Sequence, residues 1–251
     1  MRWWSYLLVG LGGYLLFMLA ELPAQHVLGW TLPDTGEPPF SYTRIKGTLW
    51  RGKAEAVNYQ GIMLDRVKWR FAPGALLRGR IGFDVQLKHA DQRLDGNIAI
   101  GAGDDYRLED IKGRIQAVHL PRLMDLSQVG IDGEIDIELQ HLTIEAQRIT
   151  AAEGRVRWLN AALLRPFPLK VGDLEADLTS NDNGDVKAEI KDLGGTTAVD
   201  GELSLTTDGN FILSGAVKPS ADSDPSLGSA LKAIGKSQPD GSIRLDYKGN
   251  L

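Results

Sequence analysis

The stretch that decides the fold runs from Arg80 to Leu87 and reads RIGFDVQL. Polar and apolar residues alternate there without a break. Successive side chains of an extended chain point to opposite faces, so this period of two predicts a strand with one apolar face. That face carries Ile81, Phe83, Val85 and Leu87.

The same alternation recurs along most of the chain after residue 42. Four further runs show it: Glu134–Leu139, Asp173–Leu178, Glu202–Leu205 and Ser242–Tyr247. Turn-forming residues separate such runs at 101–105, 181–184 and 207–210, which predicts antiparallel strands joined by hairpins. Helix is limited to three short candidates, at 75–77, 121–128 and 226–236. The body is therefore predicted to be all-β.

The scarcity of helix leaves the apolar strand faces without an obvious cover. The sheets must pack on each other as a sandwich, or one sheet must curl into a half-pipe. The alternation itself is compatible with either arrangement.

Landmarks of the β body occur twice in the same order. Val67-Lys68-Trp69 precedes one Ala-Leu-Leu-Arg stretch and Val156-Arg157-Trp158 precedes another, and Asp-Gly strand starts follow in both halves. This predicts two similar β modules, at 43–150 and 151–251, although one continuous sheet would also fit.

The N-terminus contains 18 residues without a charge, from Trp3 to Ala20. A helix of that length is about 27 Å long, close to the thickness of a bilayer core. Arg2 before the run and Glu21 after it favour an N-terminus in the cytoplasm. We predict a cytoplasmic stub at 1–2, a transmembrane helix at 3–22 and a linker at 23–42. The alternative is a cleaved secretory signal, which would export the body to the same compartment.

Composition excludes several classes of function. With 28 Lys and Arg against 33 Asp and Glu, the net charge is −5, which argues against nucleic-acid binding. The chain has no cysteine, so disulfides, thiolate metal sites and a cysteine nucleophile are excluded.

No catalytic motif stands out. The four histidines are far apart in sequence, and none has a partner at helical metal-binding spacing. Asp132, Glu134, Asp136 and Glu138 share one strand face, as acids in a glycosidase cleft would, but a solvated outer face explains them better. We therefore predict no enzyme, no metal and no cofactor.

Distinctive residues lie where the N-terminal segment meets the β body. Trp30-Thr31-Leu32-Pro33 is followed by Gly47-Thr48-Leu49-Trp50-Arg51-Gly52, and later by Val67-Lys68-Trp69. These stretches resemble the protein N family of the type II secretion system, also called general secretion pathway protein N. The candidate interaction residues are Trp30, Pro33, Gly47, Leu49, Trp50, Gly52 and Trp69. For Trp50 a place in the core is favoured over an interface, since large aromatics are usually buried.

The resemblance implies a single-pass inner-membrane protein of a Gram-negative bacterium, with its bulk in the periplasm. Such a protein would be an accessory part of the machine that exports folded proteins across the outer membrane. The family supplies no catalytic residues to carry over.

Two functions remain as hypotheses. In the first, the β body binds other secretion components through free strand edges and assembles or bridges the machine. In the second, the repeated strands, which also resemble the β modules of AsmA-like proteins, form an apolar trough that binds or transfers lipid.

Overall fold

A computed structural model describes residues 3–25, 40–59, 61–123, 128–165, 168–194, 197–219 and 235–250, together with Gly228, Leu231 and Lys232. Their dominant feature is one antiparallel sheet of fourteen strands. The all-β prediction is therefore confirmed.

The strand bounds show how the chain fills this sheet. The first seven strands are β1 (Phe40–Gly47), β2 (Arg51–Tyr59), β3 (Ile62–Ala72), β4 (Ile81–His89), β5 (Gln92–Ile100), β6 (Tyr106–Gln116) and β7 (Gly130–Glu145). The other seven are β8 (Arg148–Arg165), β9 (Leu169–Ser180), β10 (Val186–Asp192), β11 (Thr197–Leu205), β12 (Asn210–Pro219), β13 (Lys236–Ser237) and β14 (Ile243–Asn250). Each strand from β1 to β11 pairs with the next in the chain, and the far edge has the order β12-β14-β13.

The five alternating runs coincide with strands, except that Arg80 and Ser242 each lie one residue before their strand. The three predicted turns fall between β5 and β6, β9 and β10, and β11 and β12, and the last of them includes Asn210, the first residue of β12. Of the helix candidates, 75–77 lies in a 3-10 helix, Pro73–Arg78. The first three residues of the second, 121–123, lie in the short helix α2, Leu120–Leu123, which follows a 3-10 turn, Ala117–His119, and 124–127 lie outside the described residues. Most of the third candidate, 226–236, lies outside the described residues.

The N-terminal run forms helix α1, Trp3–Ala20. Among the residues described, however, no helix combines the length and the apolar character needed to cross a bilayer. The transmembrane segment at 3–22 stays a prediction.

The sandwich alternative is wrong for the described part of the chain. The described strands form a single sheet, and no second sheet occurs among them. Next-but-one strands of a flat sheet would lie about 9.6 Å apart. Cα atoms of β8 and β10, and of β9 and β11, approach within 8 Å, so the sheet is curled there.

The register of strand pairing places apolar residues on one face of the sheet and polar residues on the other, from β1 to β14. Facing residues from β1 to β14 form one apolar row: Ile45, Ala54, Val67, Leu87, Leu94, Gly113, Ile137, Val156, Ala176, Ile190, Gly201, Gly215 and Leu245. The adjacent row on the other face is polar throughout: Lys46, Lys53, Lys68, Gln86, Asp95, Lys112, Glu138, Arg155, Asp177, Glu189, Glu202, Ser214 and Asp246.

Short segments cover the apolar face near its two edges. On the β1 side, Ala24 is almost fully buried and lines the apolar surface of the first strands. On the other side, Leu231 packs against Val217 and Ile243 in a small buried cluster. Between these covers, most apolar side chains remain only half-buried.

The two halves share one contact that is relevant to the predicted modules. The indole Nε1 of Trp69 donates hydrogen bonds to the carbonyls of Thr48 and Leu49, and that of Trp158 donates to the carbonyl of Asp132. The two Ala-Leu-Leu-Arg stretches differ, since the first lies in a 3-10 helix and the second at the end of β8. The sheet is continuous past residue 150, and the division at that point stays a prediction.

Candidate interaction surface

The distinctive motif fastens the N-terminal segment to the first hairpin of the sheet. The amide of Leu49 donates a 2.9 Å hydrogen bond to the carbonyl of Leu22, and Pro23 forms an isolated bridge with Thr48. The chain turns sharply at Gly47, whose φ of +100° strongly favours glycine. The motif therefore sets how the end of α1 meets the sheet.

Trp69 lies over this turn and holds it. Its indole Nε1 is 3.2 Å from the carbonyl oxygen of Thr48 and 3.0 Å from that of Leu49. Gly52 lies directly beneath the ring, and a side chain there would overlap the indole. Gly52 therefore leaves the space that the indole of Trp69 needs to reach its two carbonyl acceptors.

Trp50, in the turn between β1 and β2, is half-buried and is the first of three aromatic rings in contact. The other two are Phe71 of β3 and Phe83 of β4. The Trp50 ring meets that of Phe71 edge-on at 4.8 Å, and Phe71 meets Phe83 at 5.9 Å. Five of the seven candidate residues therefore gather around one turn. Trp30 and Pro33 lie outside the described residues.

The apolar face beside this turn forms a trough across β1 to β6. Its first part is a cavity of about 370 Å³ that offers almost no polar atoms. Six of its lining residues are Ile45, Val57, Val67, Phe83, Val85 and Ile98. Three of the residues predicted on the apolar face of 80–87, Phe83, Val85 and Leu87, line this trough.

The trough continues along the strands into a second cavity of about 290 Å³. Leu87, two residues beyond Val85 on the same face of β4, lines it together with Leu64, Leu94 and Ile115. His89 and His119 stand at its end with their rings 5.7 Å apart.

A third cavity of about 470 Å³ adjoins this end and shares His119. Its cationic residues are Arg122 of α2 and Arg165 of β8, and its lining contains no carboxylate. Arg122 donates a 3.3 Å hydrogen bond to the carbonyl of Gly61. Neither arginine forms an ion pair with a carboxylate in the part of the chain that the structure describes.

His119 is the most perturbed group of this end. Burial is the largest cause that lowers its pKa, and electrostatic interactions with His89 and Arg122 lower it further. Its Nε2 atom is buried and has no hydrogen-bond partner among the described residues. An unsatisfied buried nitrogen is unfavourable unless something else pairs with it.

The opposite face of the sheet is occupied by ion pairs. Arg114 bonds Asp136 and lies 3.2 Å from Glu134, which places two of the four acids noted in β7 on a solvated, paired surface. A polar hollow of about 710 Å³ on β1 to β6 is lined by lysines, arginines and aspartates. No cluster of three or more possible metal-binding side chains occurs among the residues that are described.

Comparison with known proteins bears on the whole of this β body. The sequence profile of the family described as type II secretion system (T2SS), protein N, matches residues 38–246. The chain belongs to this family. No solved structure matches the chain.

The relatives of the protein N family cover nearly the full chain at low identity. The chain is 28% identical over 241 residues to the type II secretion system protein N of Vibrio cholerae serotype O1, covering 92% of this chain and 90% of that protein. Identity to the protein N of Aeromonas hydrophila is 26% over 248 residues, with 95% and 94% covered. That of Pectobacterium carotovorum is 20% identical over 240 residues, with 95% and 93% covered.

Sequence reasoning missed the cationic end of the trough. His119, Arg122 and Arg165 show no motif or common spacing, and their proximity depends on how β7 and β8 return the chain. The contact between His89 and His119 was likewise not predicted, because the two residues are far apart in sequence.

Proposed function

We propose that this chain is a non-catalytic accessory component of the type II secretion system whose β body assembles or bridges other components in the periplasm. Family membership supports its place in the secretion machinery. The observation that carries the assembly role is the open sheet, whose two end strands, β1 and β13, each pair on one side only among the described residues.

The two ends of the sheet offer different edges. At one end, the eight-residue strand β1 pairs only with β2 among the described residues. At the other, β13 pairs with only two residues of β14, so the length of β14 beyond Leu245 faces no described strand on that side. An exposed edge presents unpaired backbone groups that can accept a strand from a partner.

In-cell photo-crosslinking tests the assembly role. A photoreactive phenylalanine analogue at Thr43, exposed on β1, is expected to give a discrete crosslink to another secretion component. The same analogue at Glu189, exposed on the central strand β10, is the matched control. If strains that secrete normally yield no crosslink from β1, nor from Lys248 of β14, edge-mediated assembly is wrong.

We further propose that residues 3–22 anchor the protein in the inner membrane, with residues 1–2 in the cytoplasm and the bulk in the periplasm. The support is the uncharged run Trp3–Ala20 and the charges that flank it. Since the chain lacks cysteine, Ser237→Cys provides one labelling site. An impermeant maleimide should label it in intact spheroplasts, and the protein should stay with the membranes in alkaline carbonate. Release by carbonate would contradict the anchor, and protection from the reagent would contradict the orientation.

A second candidate function, lipid handling in the periplasm, is favoured by the uncovered apolar trough. Soluble monomers rarely expose a large continuous apolar surface unless it binds something. The sheet face presents a continuous apolar row from β1 to β14, and the described residues cover it only near its edges. Lipid recovered with the protein would support this function.

A further inference from the structure

We infer that the trough and the cationic cavity at its end form one binding site for an anionic glycerophospholipid. An acyl chain lies along the trough of β2 to β6, and the phosphate sits among His119, Arg122 and Arg165. This inference rests on the lipid-handling function proposed above and adds the orientation and class of the ligand.

The trough suits an acyl chain better than a peptide. A peptide that docks on a sheet must satisfy its own backbone amides and carbonyls, because buried polar groups without partners are costly. The first cavity of the trough offers almost no polar atoms, and its walls are Val, Ile, Phe and other apolar side chains. A hydrocarbon chain needs no such partners.

The two apolar cavities are continuous along the strands. Val85 lines the first and Leu87 the second, and these residues are successive positions on one face of β4. On β2, Val57 likewise lines the first cavity and Tyr59 lines the second. The path therefore runs from the Phe83 end of the trough toward His89 and His119.

Charge at the far end of the path selects an anion. Arg93 and Arg114, which border the second cavity, are already engaged by Asp95 and Asp136. Arg122 and Arg165 have no such carboxylate within the described residues, and both line the third cavity. Arginine pairs well with phosphate because its planar fork donates parallel hydrogen bonds.

His119 joins the apolar and cationic parts of the site. It lines both the second and the third cavity, and its buried Nε2 has no partner among the described residues. A phosphate oxygen in the third cavity would give that nitrogen a hydrogen-bond partner. Protonation of His119, now disfavoured by burial, would be favoured by the same phosphate.

In-cell photo-crosslinking of the full chain tests whether a phospholipid occupies the trough. A photoreactive phenylalanine analogue replaces Phe83 on the trough floor, or Gln86 on the opposite face, which is similarly half-buried and serves as control. Cells are grown with ³²P-orthophosphate, irradiated, and the tagged chain is purified under denaturing conditions. Label is expected on the chain with the analogue at 83 and not at 86. Absence of label at 83, or equal label at both positions, would overturn the inference.

Two double variants test the headgroup site. Arg122→Glu with Arg165→Glu is expected to lower the label at 83 by about tenfold or more, the loss expected from removing charge-assisted hydrogen bonds. Arg122→Lys with Arg165→Lys keeps the charges and should retain most of the label. Undiminished label in the glutamate variant would overturn the placement of the phosphate.

Treatment with phospholipase identifies the source of the label. Phospholipase C cleaves the headgroup phosphate from a glycerophospholipid and should remove the ³²P from the chain. Label that survives, as from lipid A or a phosphorylated protein, would overturn the assignment to glycerophospholipid. The β1 crosslinks, measured in strains that carry the analogue at Thr43, report separately on assembly, so failure of one proposal does not imply failure of the other.

Discussion

Replacing Gly52 with alanine would disturb the turn that joins the N-terminal segment to the sheet. The added methyl group would stand 2.8 Å from Cε2 of Trp69 and 2.9 Å from the carbonyl oxygen of Lys46, and closer still to Cζ2 of the indole. The backbone at Lys46 cannot shift without disturbing the strand pairing, so the indole ring of Trp69 must move. It then loses its hydrogen bond to the carbonyls of Thr48 and Leu49.

The expected loss in the free energy of unfolding is the sum of two effects. Overpacking costs about 1–3 kcal/mol, and a lost hydrogen bond costs about 0.5–1.5 kcal/mol. We therefore expect Gly52→Ala to lower the free energy of unfolding by about 3 kcal/mol. For a domain of this size that corresponds to a Tm about 6–12 °C lower.

Hydrogen exchange measured by mass spectrometry shows where the stability is lost. Strands of this sheet contact little beyond their neighbours, so a defect should stay local, as it does in repeat proteins. Exchange should rise in peptides from β1, β2 and β3 and stay unchanged in β10 to β12. Gly74→Ala is the matched control, because nothing lies within 4 Å of a methyl group there.

Equal Tm values for Gly52→Ala and Gly74→Ala would contradict the predicted clash with Trp69. An equal rise of exchange across all strands would contradict the local effect, because it would mean that the sheet unfolds as one cooperative unit. Trp69→Phe separates the two effects, since it removes the indole donor without adding a methyl group.

Three further outcomes are expected. Lys68→Glu should raise the stability by about 0.2–1 kcal/mol in urea titrations, because Lys68 faces Lys53 directly across β2 and β3. Arg80→Ala should lower it by about 1.5–3 kcal/mol, since the largely buried Arg80–Asp105 pair, with 2.6 Å between Nη2 and Oδ2, would leave an unpaired carboxylate. The pKa of His119 is lowered by burial and then by two basic neighbours, so stability should be full above the unfolded pKa of about 6.5 and fall as the pH drops through the lower folded value. His119→Gln should flatten that part of the pH profile, and an unchanged profile would contradict the assignment.

The strands and turns could be predicted because their signals are local. Alternation over a few residues places Ile81 and Phe83 on one face whatever else the chain does, and Asn181 to Gly184 forms a turn by its own chemistry. The hairpin between β7 and β8 escaped notice. Ala146 and Gln147 both have positive φ, at 48° and 65°, where the usual asparagine or glycine is missing.

The choice between sandwich and half-pipe could not be made from the strand pattern. Each strand has an apolar face in both arrangements, and the difference lies in whether another layer covers it. That depends on the connections. Here each strand from β1 to β11 pairs with the next, so no strands among the described residues are left to build a second sheet.

The cationic cavity could not be predicted from the sequence for a related reason. Arg122 and Arg165 are far apart in sequence, but β7 and β8 are long strands of similar length joined by a two-residue turn. The end of β8 therefore returns beside the start of β7, where Gly130 faces Arg165 and α2 has just ended. Only the strand lengths, whose ends are the least certain part of a sequence prediction, could have revealed it.

The open edge and the open trough are physically connected. The apolar row that passes through Val67 and Leu87 reaches the β1 edge at Ile45, and the adjacent polar row reaches it at Lys46. A partner strand added to β1 in register would extend both faces, so its own apolar side chains would lengthen the trough. Ala24 and the turn at Gly47 lie at this edge, which places the family motif where such an extension would begin. Assembly through β1 and lipid binding in the trough are therefore compatible in one molecule, and a partner bound at that edge would share the ligand.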